Sequence, residues 1–260
     1  MSRSVTLTMN AGVATVTLSQ PEIRNAFSDE VIADITAAFD TVAQHKDVRV
    51  VVLAAEGPAF CAGATLNWMR RMADYSREEN LVDAGKLAQM LHTIYTCPHP
   101  TIARVQGDVF AGGMGLVAAC DMAVAVDSAL FCLSEVKIGL VPATIAPYVL
   151  RAMGARAGHR YFLTAERFDA ATALRIGFVH EVVAADALDN AVDALLKHLL
   201  QGGPGALKAC KKLLIDTAER EINAQLMQQT VQSIAEIRAS AEGKEGVQAF
   251  LGKRKPTWLS

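Results

Sequence analysis

Three short stretches carry residue types whose spacing could do chemistry. In Gln106-Gly107-Asp108-Val109-Phe110-Ala111-Gly112-Gly113-Met114-Gly115, the glycines fall where a small apolar helical run, Leu116 to Ala119, begins. They lie just after the strand-like Thr101-Ile102-Ala103-Arg104-Val105. Glycine lets another molecule approach the backbone, and the first N–H groups of a helix have no partner within it. Such a turn can hold an anion or a polarised carbonyl, as one half of an oxyanion hole. The same glycines would equally serve close packing of helix on strand, and this stretch alone does not choose between the two. A second small-residue turn, Phe60-Cys61-Ala62-Gly63-Ala64-Thr65-Leu66, follows the apolar, β-branched run Val48 to Ala55. The third stretch places Glu135 between Phe131-Cys132-Leu133 and Val136. Apolar surroundings raise a carboxyl pKa toward the range useful for proton transfer. On the residues alone, a glutamate paired beside Lys137 or facing solvent fits as well.

Taken together and in order, these motifs resemble the enoyl-CoA hydratase/isomerase family, also called the crotonase family. The resemblance runs from Gly12-Val13-Ala14-Thr15-Val16-Thr17-Leu18, Pro21 and Asn25-Ala26-Phe27 to Phe250 and Lys253-Arg254-Lys255, nearly the whole chain. Thr65-Leu66-Asn67-Trp68-Met69 and Leu130 to Ala143 are most similar to methylglutaconyl-CoA hydratase-like members, which act on branched, carboxylated enoyl thioesters.

The resemblance implies an α/β fold, a crotonase-like spiral core of strand-strand-helix turns with a C-terminal helical region. It implies that the amides of Ala64 and Gly112 bind the thioester oxygen and that Glu135 handles the proton. The CoA moiety would lie along Arg24, Ala26, Ala62, Ala64, Thr65, Leu66 and Gly112, with Phe250 and Lys253 approaching from a neighbouring subunit. CoA is then part of the substrate, and neither a separate cofactor nor a metal is expected. Trimers, or trimers paired into hexamers, follow from the same resemblance.

One residue departs from the pattern. Typical hydratases of the family carry a second glutamate three residues after the Gly112-like position, and here that residue is Gly115. That absence favours a double-bond isomerase working with one glutamate, whereas the methylglutaconyl-like segments point back to a hydratase acting on a 2-enoyl-CoA, which is the leading expectation. A single-glutamate double-bond isomerase and a non-catalytic acyl-CoA binder stand as alternatives. Thr65 replaces the usual aspartate of its turn, a somewhat weaker cap that can serve the same purpose. Arg70 and Arg71 are either cations for an acyl carboxylate or solvated helix residues.

The elements that must position these groups are legible from periodicity. Val5 to Thr8 and Val13 to Leu18 predict a hairpin about Asn10-Ala11-Gly12. Ser28 predicts an N-cap for a helix over Asp29 to Gln44, with Val31, Ile32, Ile35, Ala38, Phe39 and Val42 on one face. A strand over Val48 to Ala55 completes a strand-helix-strand unit. Leu66 to Met72 reads as helix, and a longer amphipathic helix leads from Leu81 to Cys97-Pro98-His99-Pro100, which ends it. Further strands are expected at Thr101 to Val105, Asp121 to Val126 and within Ile176 to Val183. Helices are expected at Ala146 to Met153, Ala157 to Leu163, Ala165 to Leu174, Leu188 to Leu200, Gly205 to Arg220 and Ile222 to Ser240. The Gly202-Gly203-Pro204-Gly205 breaker suggests a boundary, with a core over 1–200 and a helical oligomerisation region over 201–260.

The chain's 260 residues suffice for a substantial core without disulfides. A formal charge of −2 gives no basic field for nucleic acid or acidic membranes. Five scattered cysteines show no metal-ligand spacing and read as reduced core residues. No long apolar leader opens the chain, so a soluble, cytoplasmic protein is expected.

Overall fold

In the computed structural model, which describes residues 4–259, the predicted hairpin forms as β1 (Val5–Asn10) and β2 (Val13–Leu18). The opening Met1-Ser2-Arg3, on which the leader expectation partly rests, lies outside the described residues. α1 spans Asp29–Gln44. The Ser28 hydroxyl accepts from the Val31 amide, and the predicted apolar residues form its buried face except Ala38, which is half-buried. β3 (Val50–Ala55) is buried throughout and pairs parallel to β2.

The elements that follow are β4 (Ala59–Cys61), α2 (Leu66–Ala73), α3 (Arg77–Tyr95), β5 (Thr101–Val105), β6 (Asp108–Phe110), α4 (Gly112–Ala119), β7 (Met122–Val126) and β8 (Leu130–Cys132). Next come α5 (Ala146–Thr164), β9 (Phe168–Asp169), α6 (Ala170–Arg175) and β10 (Glu181–Val183). α7 (Leu188–Gln201), α8 (Pro204–Thr217), α9 (Ala224–Ala239) and α10 (Ala241–Leu251) end the chain.

Six strands form the main sheet in the order β1-β2-β3-β5-β7-β10, parallel except for the hairpin. The second sheet is smaller, β4-β6-β8-β9, and its first three strands are parallel. One continuous apolar core fills the space between the sheets and helices, with Phe27, Phe39, Phe60 and Phe131 among its fully enclosed side chains. No described helix is long and apolar enough to cross a membrane.

Some elements differ from the sequence expectation for local reasons. α3 begins at Arg77, inside the charged stretch, because Ser76 and Glu79 form a reciprocal capping box. The two helices expected around Gly154 run on as one kinked element, in which Gly154 alone is non-helical at φ 77° and ψ 157°. The helix expected from Ala165 starts only at Ala170. Ala165 turns left-handed at φ 48° to end α5, Phe168 pairs with Phe131, and Asp169 caps α6 through the Thr172 amide. α10 is a separate helix because the Ser240 hydroxyl caps a fresh start by accepting from the Gly243 amide.

Candidate active site

The small sheet brings the three chemical stretches together. β4, β6 and β8 run parallel side by side, with Cys61 beside Val109 and Phe110 beside Cys132, so their C-terminal ends share one edge. Ala64 lies three residues beyond the end of β4, Gly112 two beyond β6, and Glu135 three beyond β8. Loops at the carboxyl edge of parallel strands are where such sheets place their ligands.

The first two turns touch. A methyl group placed on Gly63 would lie 3.0 Å from the Ala111 Cβ and 3.5 Å from the Phe110 carbonyl oxygen. Gly63 itself has φ 95°, a backbone conformation that suits glycine. Ala111 is held at φ 48° and ψ −122°, which side-chain-bearing residues rarely adopt. Its amide donates to the Cys132 carbonyl at 2.8 Å, which ties the Gly112 turn to the strand that leads to Glu135. Phe27 fixes the other turn: its amide donates to the Gly63 carbonyl, and its own carbonyl accepts from Thr65 at 2.8 Å. The amides of Ala64 and Gly112 donate to no partner among the described residues. Free amides from two touching turns, one at a helix start, make a pair of donors suited to a developing oxyanion.

Glu135 opens a 3-10 turn, Glu135–Ile138, closed by Gly139 in the left-handed region. The residue is half-buried, and its Oε2 is enclosed with no hydrogen-bond partner. Burial pushes its carboxyl pKa up, opposed only by its own amide. The raised value favours a protonated acid that can give a proton to carbon. Lys137 two residues on is exposed, and no ion pair joins it to Glu135 among the described residues.

A groove of about 700 Å³ runs along the first turn. Arg24, Ala26, Ala62, Ala64, Thr65 and Leu66, all predicted to meet the CoA moiety, line it, together with Asn67, Arg70 and Arg71. Gly112 and Glu135 do not; Ala64 joins the groove to the strand edge. The buried Asn25 holds the groove's outer wall, accepting from the Gln20 amide at 2.9 Å and donating to the carbonyls of Glu56 and Ala59. Arg24, at φ 56°, pairs with Asp108 at 2.8 Å, and its carbonyl accepts from the Ala62 amide. Thr65 caps α2 by accepting from Trp68, so the threonine does the work of the usual aspartate. Arg70 donates to Asn67 at 3.0 Å, and Arg71 is paired with Asp29. Phe250, 83% exposed on α10, and Lys253 beyond it do not line the groove of their own chain.

Sequence reasoning missed the packing around Gly115. A Cβ there would lie 2.3 Å from the Ile145 Cγ2 and 3.2 Å from the Leu91 Cδ2, so hydrocarbon from two other elements closes the position. No local pattern signals a contact between residues thirty apart. Cys61, beside the first turn, is fully buried, and burial pushes its thiol up to about 12, which leaves it an inert packing group. The described residues contain no cluster of His, Cys, Asp and Glu able to hold a metal ion.

Known proteins share the family and the fold of this chain. The family model for enoyl-CoA hydratase/isomerase matches residues 8–260. The enoyl-CoA hydratase ACTT6 of Alternaria alternata is 34% identical over 257 residues, covering 95% of this chain and 82% of its own. A crystal structure of an enoyl-CoA hydratase from Shewanella pealeana superposes with a TM-score of 0.95 at 42% identity, covering 98% of this chain and 96% of that one. An enoyl-CoA hydratase from Mycobacterium smegmatis gives 0.94 at 35% identity, with both chains fully covered.

Proposed function

The chain belongs to the enoyl-CoA hydratase/isomerase family, and from that premise we propose that it adds water across the double bond of a 2-enoyl-CoA thioester. The observation that carries this reading is the shared edge of β4, β6 and β8, where two free amides and one enclosed carboxyl leave adjacent strands. The Ala64 and Gly112 amides hold the thioester oxygen. As oxygen adds at C3, negative charge gathers on that thioester oxygen, and donors fixed in a dry site stabilise the enolate. Glu135 then gives its proton to C2. The CoA portion occupies the groove, with Arg24 near a phosphate and Phe250 and Lys253 supplied by a neighbouring copy. The exposed Met227, Val231 and Ile234 recur along one face of α9, which supports burial of the C-terminal helices in a trimer or a dimer of trimers. No cofactor beyond the substrate's own CoA enters the reaction, and the protein works in the cytoplasm.

A branched, carboxylated acyl group is the favoured substrate, supported by the likeness of Thr65 to Met69 and Leu130 to Ala143 to methylglutaconyl-CoA hydratases. Incubating the purified protein with crotonyl-CoA and 3-methylglutaconyl-CoA, and following loss of enoyl thioester absorbance, tests the reading. Gly115 favours a second reading, a double-bond isomerase working with Glu135 alone. Turnover of a 3-enoyl-CoA with no hydration of either 2-enoyl-CoA would decide for it. If the wild-type protein and Glu135→Gln bind acyl-CoA equally and neither turns over any thioester, a binding role replaces both.

A further inference from the structure

Hydration of an enoyl thioester uses one group that takes a proton from water and one that gives a proton to carbon. Among the turns at the three strand ends, 62–66, 111–115 and 133–138, Glu135 is the sole carboxylate. No cation contributes to its pKa, and burial favours its protonated form, which suits the proton-giving half. Gly115, one helical turn beyond the Gly112 amide and on the same face of α4, could have carried the other half. Its Cβ position is taken by Ile145 and Leu91, so the fold leaves no room for an acidic side chain there. Lys137, within the third turn, is exposed, and Arg70 and Arg71, just past the first turn, are engaged by Asn67 and Asp29.

We propose that the missing base is the substrate's own carboxylate, borne on a methylene attached to C3. The inference rests on the hydratase reading above and names the substrate class that the reading requires. A carboxylate at that distance reaches a water poised over C3 through a six-membered array, and intramolecular placement of this kind replaces a protein base at high effective concentration. An O–H bond of the water breaks, its proton passes to the carboxylate, and the electron pair forms the C3–O bond. The double-bond pair moves toward the thioester oxygen, held by the two amides. The carbonyl re-forms as C2 takes the proton of Glu135. The new carboxylic acid returns a proton to Glu135 through solvent, leaving the net addition of one water.

The test compares 3-methylglutaconyl-CoA with 3-methylcrotonyl-CoA, which differs only in lacking the carboxylate, with and without added formate. The neutral thioester is expected to show a KM within about threefold of its carboxylated partner and a kcat at least about a hundredfold lower. Formate should raise that kcat in proportion to its concentration and leave the carboxylated substrate unaffected. A Gly115→Glu/Ile145→Ala protein, which makes room for a protein carboxylate, should also hydrate the neutral thioester faster than wild type. Equal kcat for the two substrates overturns the proposal. So does a deficit that formate does not reduce, or one expressed in KM, which would make the carboxylate a recognition element. If the double variant does not fold, the formate series decides alone. Failure of the wild type to hydrate either thioester while it shifts a 3-enoyl double bond overturns the hydratase reading itself, a result distinct from all of these.

Discussion

Glu135 is useful because of what does not touch it. An enclosed Oε2 without a partner carries the desolvation of the charged form uncompensated, so the proton is held to higher pH than on a free glutamate. Glu135→Gln keeps the shape and removes the proton. Its kcat should fall by about a hundred- to ten-thousand-fold while KM changes little. The pH profile gives a second check with a definite sign. The carboxyl group's limb in kcat/KM should lie above the ordinary glutamate value of 4.5 and should vanish in Glu135→Gln. A limb at or below that value would mean that another acid is being titrated. Glu135, Gly112 and Ala64 could be singled out as candidates in the sequence because residue type and order carry the motifs they sit in. The orphaned oxygen and the filled space beside Gly115 were not, since both depend on side chains supplied from elsewhere in the chain.

The small sheet does most of the positioning, and it was the least legible element. β4, β6 and β8 have three residues each, too short for an alternation to stand out, and their glycine-rich exits read as turns. The long buried run of β3 and the capped face of α1 were plain because period and end signals extend over many residues. The sheet's tolerance is correspondingly narrow. A Cβ on Gly112 would fall 2.6 Å from the ring of Phe27, which is itself fully enclosed. Gly112→Ala should therefore cost about 1 to 3 kcal/mol in urea unfolding and displace the donor amide, lowering kcat. In a Phe27→Leu background the added penalty should be smaller, and strict additivity of the two changes would show that the ring is not the obstacle. Asn25 works on the groove wall in a comparable way. Asn25→Ala removes the partner of the Gln20 amide and a donor to each of the Glu56 and Ala59 carbonyls, of which Ala59 keeps the Gln106 side chain. A loss of about 2 to 4 kcal/mol is expected. KM for the CoA thioester should rise more than kcat falls, because the loop that the asparagine anchors lines the groove proposed for CoA and not the strand edge.

At the scale of the whole molecule, the C-terminal helices are tied to the strands by polar groups sunk in the core. Lys211 of α8 is buried, pairs with Asp121 at 2.7 Å and donates to the His99 carbonyl at 3.1 Å. Asp121 in turn accepts from the amide and hydroxyl of Thr101 at the start of β5. His99 itself is fully enclosed beside this link. Burial, aided by Lys208, Lys211 and His45, lowers its pKa from 6.5 to about 4. A base held below its ordinary value in the fold is neutral there at pH 7, and its contribution to stability is fully present above 6.5. As pH falls the unfolded chain takes up the proton first, so that contribution drains away between 6.5 and about 4 and is gone below. The loss attributable to this one ring is at most about 3 kcal/mol. Carboxylates also weaken the fold in acid, so the informative quantity is a difference. The unfolding free energy of wild type minus that of His99→Leu, measured in urea from pH 7.5 to 4, should fall with pH, because the wild type loses more. Curves that descend in parallel would show that the histidine keeps its proton equilibrium on folding.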